Sequence, residues 1–204
     1  MTNDKPASDG YIKFHCDWEK HTVLSAEDII SLNSCRNRLF SLKLIGAYPG
    51  GVGYGNISVR TFDNEFIITG SATGDHAILT PDFYSKVVGF DIDNNYLKCV
   101  GLRQASSESM THAAIYSIDK NINAVIHIHN QKLWDYLLNK VPTTSPDATY
   151  GTPEIAREMT RLFNDEQAGK KGIIVTEGHK EGVFTFGKDL DTAEKILMKY
   201  FNKI

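Results

Sequence analysis

The sequence predicts a single layered α/β domain, and three observations predict it. Its 204 residues suit one domain with a sizeable core. Short β-like segments gather between residues 57 and 100, with further ones at 124–128 and after 172. Helix-period segments with their own start signals flank and interrupt them. The pattern leaves the strand order open.

In chain order, residues 1–25 read as a polar, extended lead-in and 26–204 as the single domain. Ser25 opens a helix, with Glu27 and Asp28 in its first turn and Gly46 beyond its end. Ile29, Ile30, Leu32, Leu39, Leu42 and Ile45 supply its apolar face. A glycine cluster follows: Gly50, Gly51, Gly53 and Gly55. Strands are predicted at Ile57 to Arg60, Phe66 to Thr69, Val87 to Asp91 and Tyr96 to Val100. A helix runs from Ser106-Ser107 to about Asp119, followed by a strand over Ala124 to Ile128 and a helix over Gln131 to Leu138. Pro153 suits the first turn of a helix reaching Phe163. Strands at Gly172 to Thr176 and Val183 to Phe186 precede a last helix over Leu190 to Phe201.

Composition narrows the function. The formal net charge of -3 gives no electrostatic case for nucleic acid. No apolar run approaches the roughly 20 residues that span a bilayer, and Met1 to Gly10 carry no apolar signal core. Cys16, Cys35 and Cys99 are odd in number and scattered along the chain. They read as reduced thiols of a cytoplasmic protein, without a disulfide framework or a cysteine metal site.

The sharpest chemical signal is His127-Ile128-His129 at the end of the apolar stretch Ala124-Val125-Ile126. Strand side chains alternate, so both imidazoles point to one face and can meet one ion at about 2.0–2.1 Å. Alone, the pair is equally compatible with two satisfied histidines at a strand end. His179, in the turn Glu177-Gly178-His179-Lys180-Glu181-Gly182, reads alone as a solvated turn histidine. Beside the pair it offers a third imidazole, and three histidines would leave a fourth zinc position open for substrate. His15, His21 and His76 read as surface or local residues and His112 as helix packing.

Ser106-Ser107-Glu108 at a helix start reads first as ordinary capping, the serine oxygens taking free helix N–H groups. The same position suits phosphate, with the two hydroxyls as added donors and Glu108 placed as a general base. Gly53-Tyr54-Gly55-Asn56-Ile57-Ser58 allows close backbone approach to an anion, but lacks the Gly-Lys-Ser/Thr ending of a Walker loop. Thr69-Gly70-Ser71-Ala72-Thr73-Gly74 is a second hydroxyl-bearing loop. Either loop alone reads as a turn.

Taken in order, these segments resemble the class II aldolase/adducin family over about residues 26–201. The carrying pieces are Gly55-Asn56-Ile57-Ser58-Val59-Arg60, Phe66-Ile67-Ile68-Thr69, Leu79-Thr80-Pro81, Ser106-Ser107-Glu108 with His112, and Ala124 to His129. Tyr150-Gly151-Thr152-Pro153-Glu154, then His179 and Gly182 before Gly187-Lys188-Asp189-Leu190, complete the set. The resemblance implies a three-layer α/β/α sandwich around a mainly antiparallel or mixed sheet, assembled as a homotetramer. It implies zinc held by His127, His129 and His179, with Mn, Fe or Co fitting the same ligands. It assigns Glu108 as the acid/base and a phosphate pocket at Gly55, Asn56, Ser71, Ser106 and Ser107. The Ser71 loop is longer here than the family pattern, which offers Thr73-Gly74 for that role as well.

The implied reaction is a lyase step. A small sugar phosphate is cleaved at a carbon–carbon bond through a zinc-stabilised enediolate. The same site would also serve dehydration, epimerisation or decarboxylation, and adducin heads keep the fold as non-catalytic modules. Three departures from the family stand out. The segment 130–149 is short and lacks a clear counterpart of the family's tyrosine acid, with Tyr150 as a local substitute. Glu181 directly precedes the glycine where the family has its third ligand, which makes it the alternative to His179. The chain ends soon after its last helix, while Tyr11, His15, Trp18 and His21 in the lead-in are aromatic enough to cover a neighbour or a pocket.

Overall fold

The computed structural model describes residues 11–204. The first ten residues of the lead-in, read above as polar and free of a signal core, lie outside the described residues. The chain begins with β1 (His15–Glu19), a 3-10 turn at Glu27–Ile29 and α1 (Ile30–Ser41). Two short strands follow, β2 (Gly46–Ala47) and β3 (Gly53–Tyr54), then a meander of β4 (Asn56–Phe62), β5 (Glu65–Thr69), β6 (Tyr84–Asp91) and β7 (Tyr96–Val100). The second half comprises α2 (Ser109–Ile118), β8 (Ala124–His129), α3 (Gln131–Leu137), α4 (Pro153–Asp165) and α5 (Ala168–Lys171). It closes with β9 (Ile173–Val175), β10 (Gly182–Gly187) and α6 (Leu190–Phe201).

Eight strands form one sheet in the order β1-β7-β6-β5-β4-β8-β10-β9. Every neighbouring pair is antiparallel except β1 with β7. The meander turns are tight because Asp63 and Asn95 take left-handed conformations, φ 42° and 48°. Short Asp and Asn side chains tolerate that region better than other non-glycine residues.

Side-chain alternation then sorts the sheet residues into two cores. Phe66, Ile68, Val125, Phe184 and Phe186 pack with Met110 and Ala113 of α2 and Ile155, Met159 and Leu162 of α4. Ile67, Ala124, Ile126, Ile128 and Val183 pack on the opposite face with Leu32 and Leu39 of α1, Leu133 of α3, and Leu190, Ala193 and Leu197 of α6. The result is the α/β/α sandwich with a mainly antiparallel sheet. Each fully buried Leu, Ile or Phe contributes about 1.5–3 kcal/mol of transfer free energy. Both helix layers are therefore fixed by the two stripes each strand presents.

Several expectations are corrected in detail. Part of the lead-in is sheet: β1 pairs in parallel with β7, and Trp18 donates its indole N–H to Gly101 O at 2.8 Å. The apolar face of α1 does not include Ile30 or Leu42, which are 65% and 41% exposed. The 3-10 turn shifts the helix phase, and the buried stripe is Leu32, Cys35, Arg36 and Leu39. Lys43, not Gly46, turns the chain after α1 in the left-handed region, φ 58°. At α2 the cap position is Glu108 itself, without a side-chain cap bond, and Ser106 Oγ reaches only Glu108 N, at 3.4 Å. Cys16 and Cys99, distant in sequence, lie side by side on β1 and β7 as free thiols 3.5 Å apart. Among the described residues, no helix is long and apolar enough to cross a membrane.

Candidate metal centre

The centre is built where β8 ends. Ala124, Ile126 and Ile128 face one core, so the intervening positions place Val125, His127 and His129 on the α2 side of the sheet. His127 Nε2 and His129 Nε2 approach to 3.0 Å. The turn between β9 and β10 brings His179 to them, with ring centroids 5.4 Å from His127 and 4.6 Å from His129. One ring nitrogen from each of the three lies within 4.8 Å of the others, and all three residues are buried. Phe184 stacks on His127 at 4.1 Å between centroids. Burial pushes the His127 imidazole well below its ordinary value, and the neighbouring His129 and His179 push it the same way. The ring is held neutral, the form in which imidazole binds a metal.

Glu108 closes the cluster from the start of α2. It is buried, and its Oε2 accepts from Thr111 Oγ1 at 3.0 Å. Its Oε1 lies 2.9 Å from His179 Nδ1 and 3.7 Å from His127 Nε2. Four groups from α2, β8 and the β9–β10 turn thus converge on one point.

A cleft of about 230 Å³ opens onto that point. Its walls include Gly55 and Asn56, Ser71 with Thr73 and Gly74, and Ser106 with Ser107. All the sequence-predicted phosphate candidates therefore share one cavity with His127, His129, His179 and Glu108. Asn56 sits opposite His127 in the β4–β8 ladder, and its buried Oδ1 has no hydrogen-bond partner among the described residues. Gly55 and Gly74 are among the glycines that make close wall contacts. Gly55 has φ 72° with His127 O 3.0 Å from where a Cβ would stand. A Cβ on Gly74 would stand 2.0 Å from Gly46 O. Tyr150 lines the same cleft, its ring 4.8 Å from that of His179 and under Lys13 Nζ at 3.8 Å. Tyr11 of the lead-in also lines it, while Trp18 packs against the core.

Sequence reasoning missed three residues here. Tyr48 Oη lies 2.9 Å from His129 Nδ1 and donates to Glu181 Oε2 at 2.7 Å. Glu181 is thereby engaged behind His129, while His179 is the residue in the donor cluster. Tyr54 stacks on His129 at 5.7 Å. Arg36, buried in α1, donates to Ala77 O at 3.0 Å and Thr73 O at 3.3 Å, holding the loop that forms one cleft wall. Only Tyr54, inside the glycine motif, carried a local signal.

The sequence model of the Class II Aldolase and Adducin N-terminal domain matches residues 50–134. That span contains Gly55, Asn56, Ser71, Ser106, Ser107, Glu108, His127 and His129. This part of the chain is similar to the class II aldolase/adducin family. Solved structures agree on the fold. A sugar-phosphate aldolase from Thermotoga maritima superposes with TM-score 0.64 at 18% identity, covering 85% of this chain and 90% of that one. L-fuculose-1-phosphate aldolase from Thermus thermophilus gives 0.57 at 22% identity, with 83% and 87% covered. YgbL from Klebsiella pneumoniae, for which aldolase, epimerase and decarboxylase are offered as alternatives, gives 0.62 at 18%, with 87% and 86% covered. At these identities the likeness is one of fold. The match and the fold together indicate a class II aldolase-like scaffold.

Proposed function

We propose that this class II aldolase-like chain is a zinc-dependent lyase that cleaves a carbon–carbon bond of a small sugar phosphate. The observation that carries the reading is the convergence of His127, His129 and His179 with Glu108 at the inner end of the hydroxyl-lined cleft. The three residues fit a divalent ion on their own chemistry. Three buried imidazoles with one ring nitrogen each inside a 4.8 Å cluster, His127 held neutral, are a donor set that suits a divalent cation. His127, His129 and His179 would hold the ion, which supplies Lewis-acid polarisation of substrate oxygens.

The chain's own groups supply the rest. Glu108 Oε1 faces the histidines while Thr111 fixes Oε2, so one carboxylate oxygen is kept for moving the proton at the reacting carbon. Ser106, Ser107 and Ser71 offer hydroxyl donors, and the N-terminus of α2 adds its positive end, which suits a phosphate without an arginine. Phosphorylated sugars as substrates are supported by the aldolase neighbours and by this neutral-donor cleft. The resemblance supports assembly as a homotetramer, and free thiols at Cys16, Cys35 and Cys99 support a cytoplasmic setting.

A second reading keeps the site and changes the reaction. The short 130–149 segment offers no clear second acid, and the YgbL neighbours supply the precedent for epimerisation or decarboxylation. One experiment separates the readings. Zinc-loaded protein is incubated with a panel of phosphorylated ketoses and aldoses, and products are followed by mass. A three-carbon phosphate or a lactaldehyde-type fragment supports the lyase. A product of unchanged mass, or one lighter by water or carbon dioxide, replaces it by epimerase, dehydratase or decarboxylase. Protein that takes up no metal refutes all of these.

A further inference from the structure

We propose that Tyr48 and Glu181 form a positioning relay that fixes His129 as its Nδ1–H tautomer and thereby puts the ring's lone pair on Nε2, the atom that would meet a cation. The inference deepens the metal-site reading and rests on it for the ion alone.

The tautomer follows from a count of protons. A phenol has one, and Tyr48 gives it to Glu181 Oε2 at 2.7 Å. Toward His129 Nδ1, at 2.9 Å, Tyr48 Oη therefore presents a lone pair. Nδ1 must carry the hydrogen in that contact, so the neutral ring keeps its lone pair on Nε2. Nε2 is the atom that faces His127 at 3.0 Å. His127 reaches the same tautomer by another route, its Nδ1 lying 3.3 Å from Val183 O. A carboxylate or carbonyl behind a ligating histidine, setting tautomer and ring angle, is the usual support of a metal site. Here a tyrosine is interposed between the imidazole and the carboxylate.

The surrounding backbone is arranged to hold the relay. Glu181 has φ 70°, a left-handed conformation that a non-glycine residue keeps only where its surroundings impose it. Its carbonyl accepts from Asn130 N at 3.0 Å, the residue directly after His129. Tyr48 is fixed by a turn in which its N–H reaches Val52 O at 2.9 Å and its carbonyl accepts from Gly51 N at 2.8 Å. Gly51, Val52 and Gly53 from that turn line the cleft. Neither Tyr48 nor Glu181 lines it, so both act on the ligand rather than on substrate.

The test uses Tyr48→Phe, Glu181→Gln and the double variant. Zinc affinity is measured by competition with a chromophoric chelator, and the His129 tautomer by imidazole 15N shifts in zinc-stripped protein at pH 8. Each single variant should lose about 10- to 100-fold in zinc affinity, the usual effect of removing such support. The double variant should be no worse than the weaker single one, because both residues serve one relay. The wild-type ring should carry its proton on Nδ1, and in the variants Nε2–H should appear. Unchanged affinity together with an unchanged Nδ1–H tautomer in both single variants overturns the relay. Additive losses with an unchanged tautomer also overturn it, pointing to two separate structural roles. If Tyr48→Phe does not fold, Glu181→Leu, which removes the acceptor of the Tyr48 proton, decides alone. A wild type that binds no zinc refutes the metal reading, while its 15N shifts still decide the relay.

Discussion

His127 Nε2 and His129 Nε2 face each other at 3.0 Å from alternate positions of one strand. Two neutral imidazoles cannot satisfy each other there if both lone pairs point inward. A cation between them should therefore stabilise the folded chain. Zinc at about 100 times its dissociation constant should add about 2.7 kcal/mol. The check is the thermal midpoint with and without zinc, which should rise by several degrees and fall back with chelator. A His127→Ala/His129→Ala double variant should show no shift, and an equal shift in that variant would mean the ion binds elsewhere.

Glu108 is held on one oxygen by Thr111 and meets His179 with the other. Replacing it by Gln keeps the volume and removes the group that moves the proton. Glu108→Gln should retain stoichiometric zinc while kcat falls by roughly 10²–10⁴. Loss of zinc together with activity would recast Glu108 as a ligand, and full activity would remove it from the chemistry.

Much of the strand and helix framework was legible because its signals are local. The bounds expected for β7 and α6 coincide with those observed, and β8 differs by one residue at its end. The alternation that put Val125 into one core and Ile126 into the other also put His127 and His129 on a common face. Non-local relationships were not legible. Tyr48 reaches Glu181 across 133 positions, and nothing near either residue marks the partner. The pairing of β1 with β7 is parallel and long-range, so no turn signal announces it. Arg36 sits at a helix-period position but counts as polar in any hydrophobic pattern. Its burial depends on carbonyls that become available only once the loop at 73–77 folds against α1.

That burial makes Arg36 a support of the cleft. Its guanidinium donates to Ala77 O and Thr73 O and lies over the Phe40 ring. Arg36→Met would leave those carbonyls without their donor, at about 1–3 kcal/mol for each buried group left unpaired. Urea unfolding should show a loss of that order. Because Thr73 lines the cleft, KM for the phosphorylated substrate should rise more than kcat falls. A stability loss with an unchanged KM would separate Arg36 from the site.

Gly74 tests the same wall from the other side. A Cβ there would stand 2.0 Å from Gly46 O and 2.8 Å from Gly53 Cα, both backbone atoms that cannot turn away. Gly74→Ala should force the loop off the β2–β3 ribbon and weaken substrate binding at least as strongly as Arg36→Met. Gly50→Ala is the control, since a Cβ at Gly50 meets nothing within 4 Å. Equal KM values for the two variants would show that the close approach is not needed.

His112 sets how the fold responds to acid. Its ring is fully buried on α2 with Nδ1 2.7 Å from Ser58 Oγ, and burial pushes its imidazole down to about 3 from the ordinary 6.5. The folded chain therefore resists protonating it, while the unfolded chain takes the proton as pH drops through 6.5. Between those values the unfolded state binds more protons, so stability falls as pH falls, by up to about 1.4 kcal/mol per pH unit from this one group. Above pH 6.5 the contribution is complete and flat. His127 is depressed in the same direction and adds to the slope of the zinc-free wild type. Unfolding free energies of zinc-free protein between pH 7 and pH 4 should thus fall more steeply for the wild type than for His112→Leu, by the uptake of about one proton. Parallel curves for the two proteins would show that His112 titrates near its ordinary value in the folded chain and that its burial does not govern acid stability.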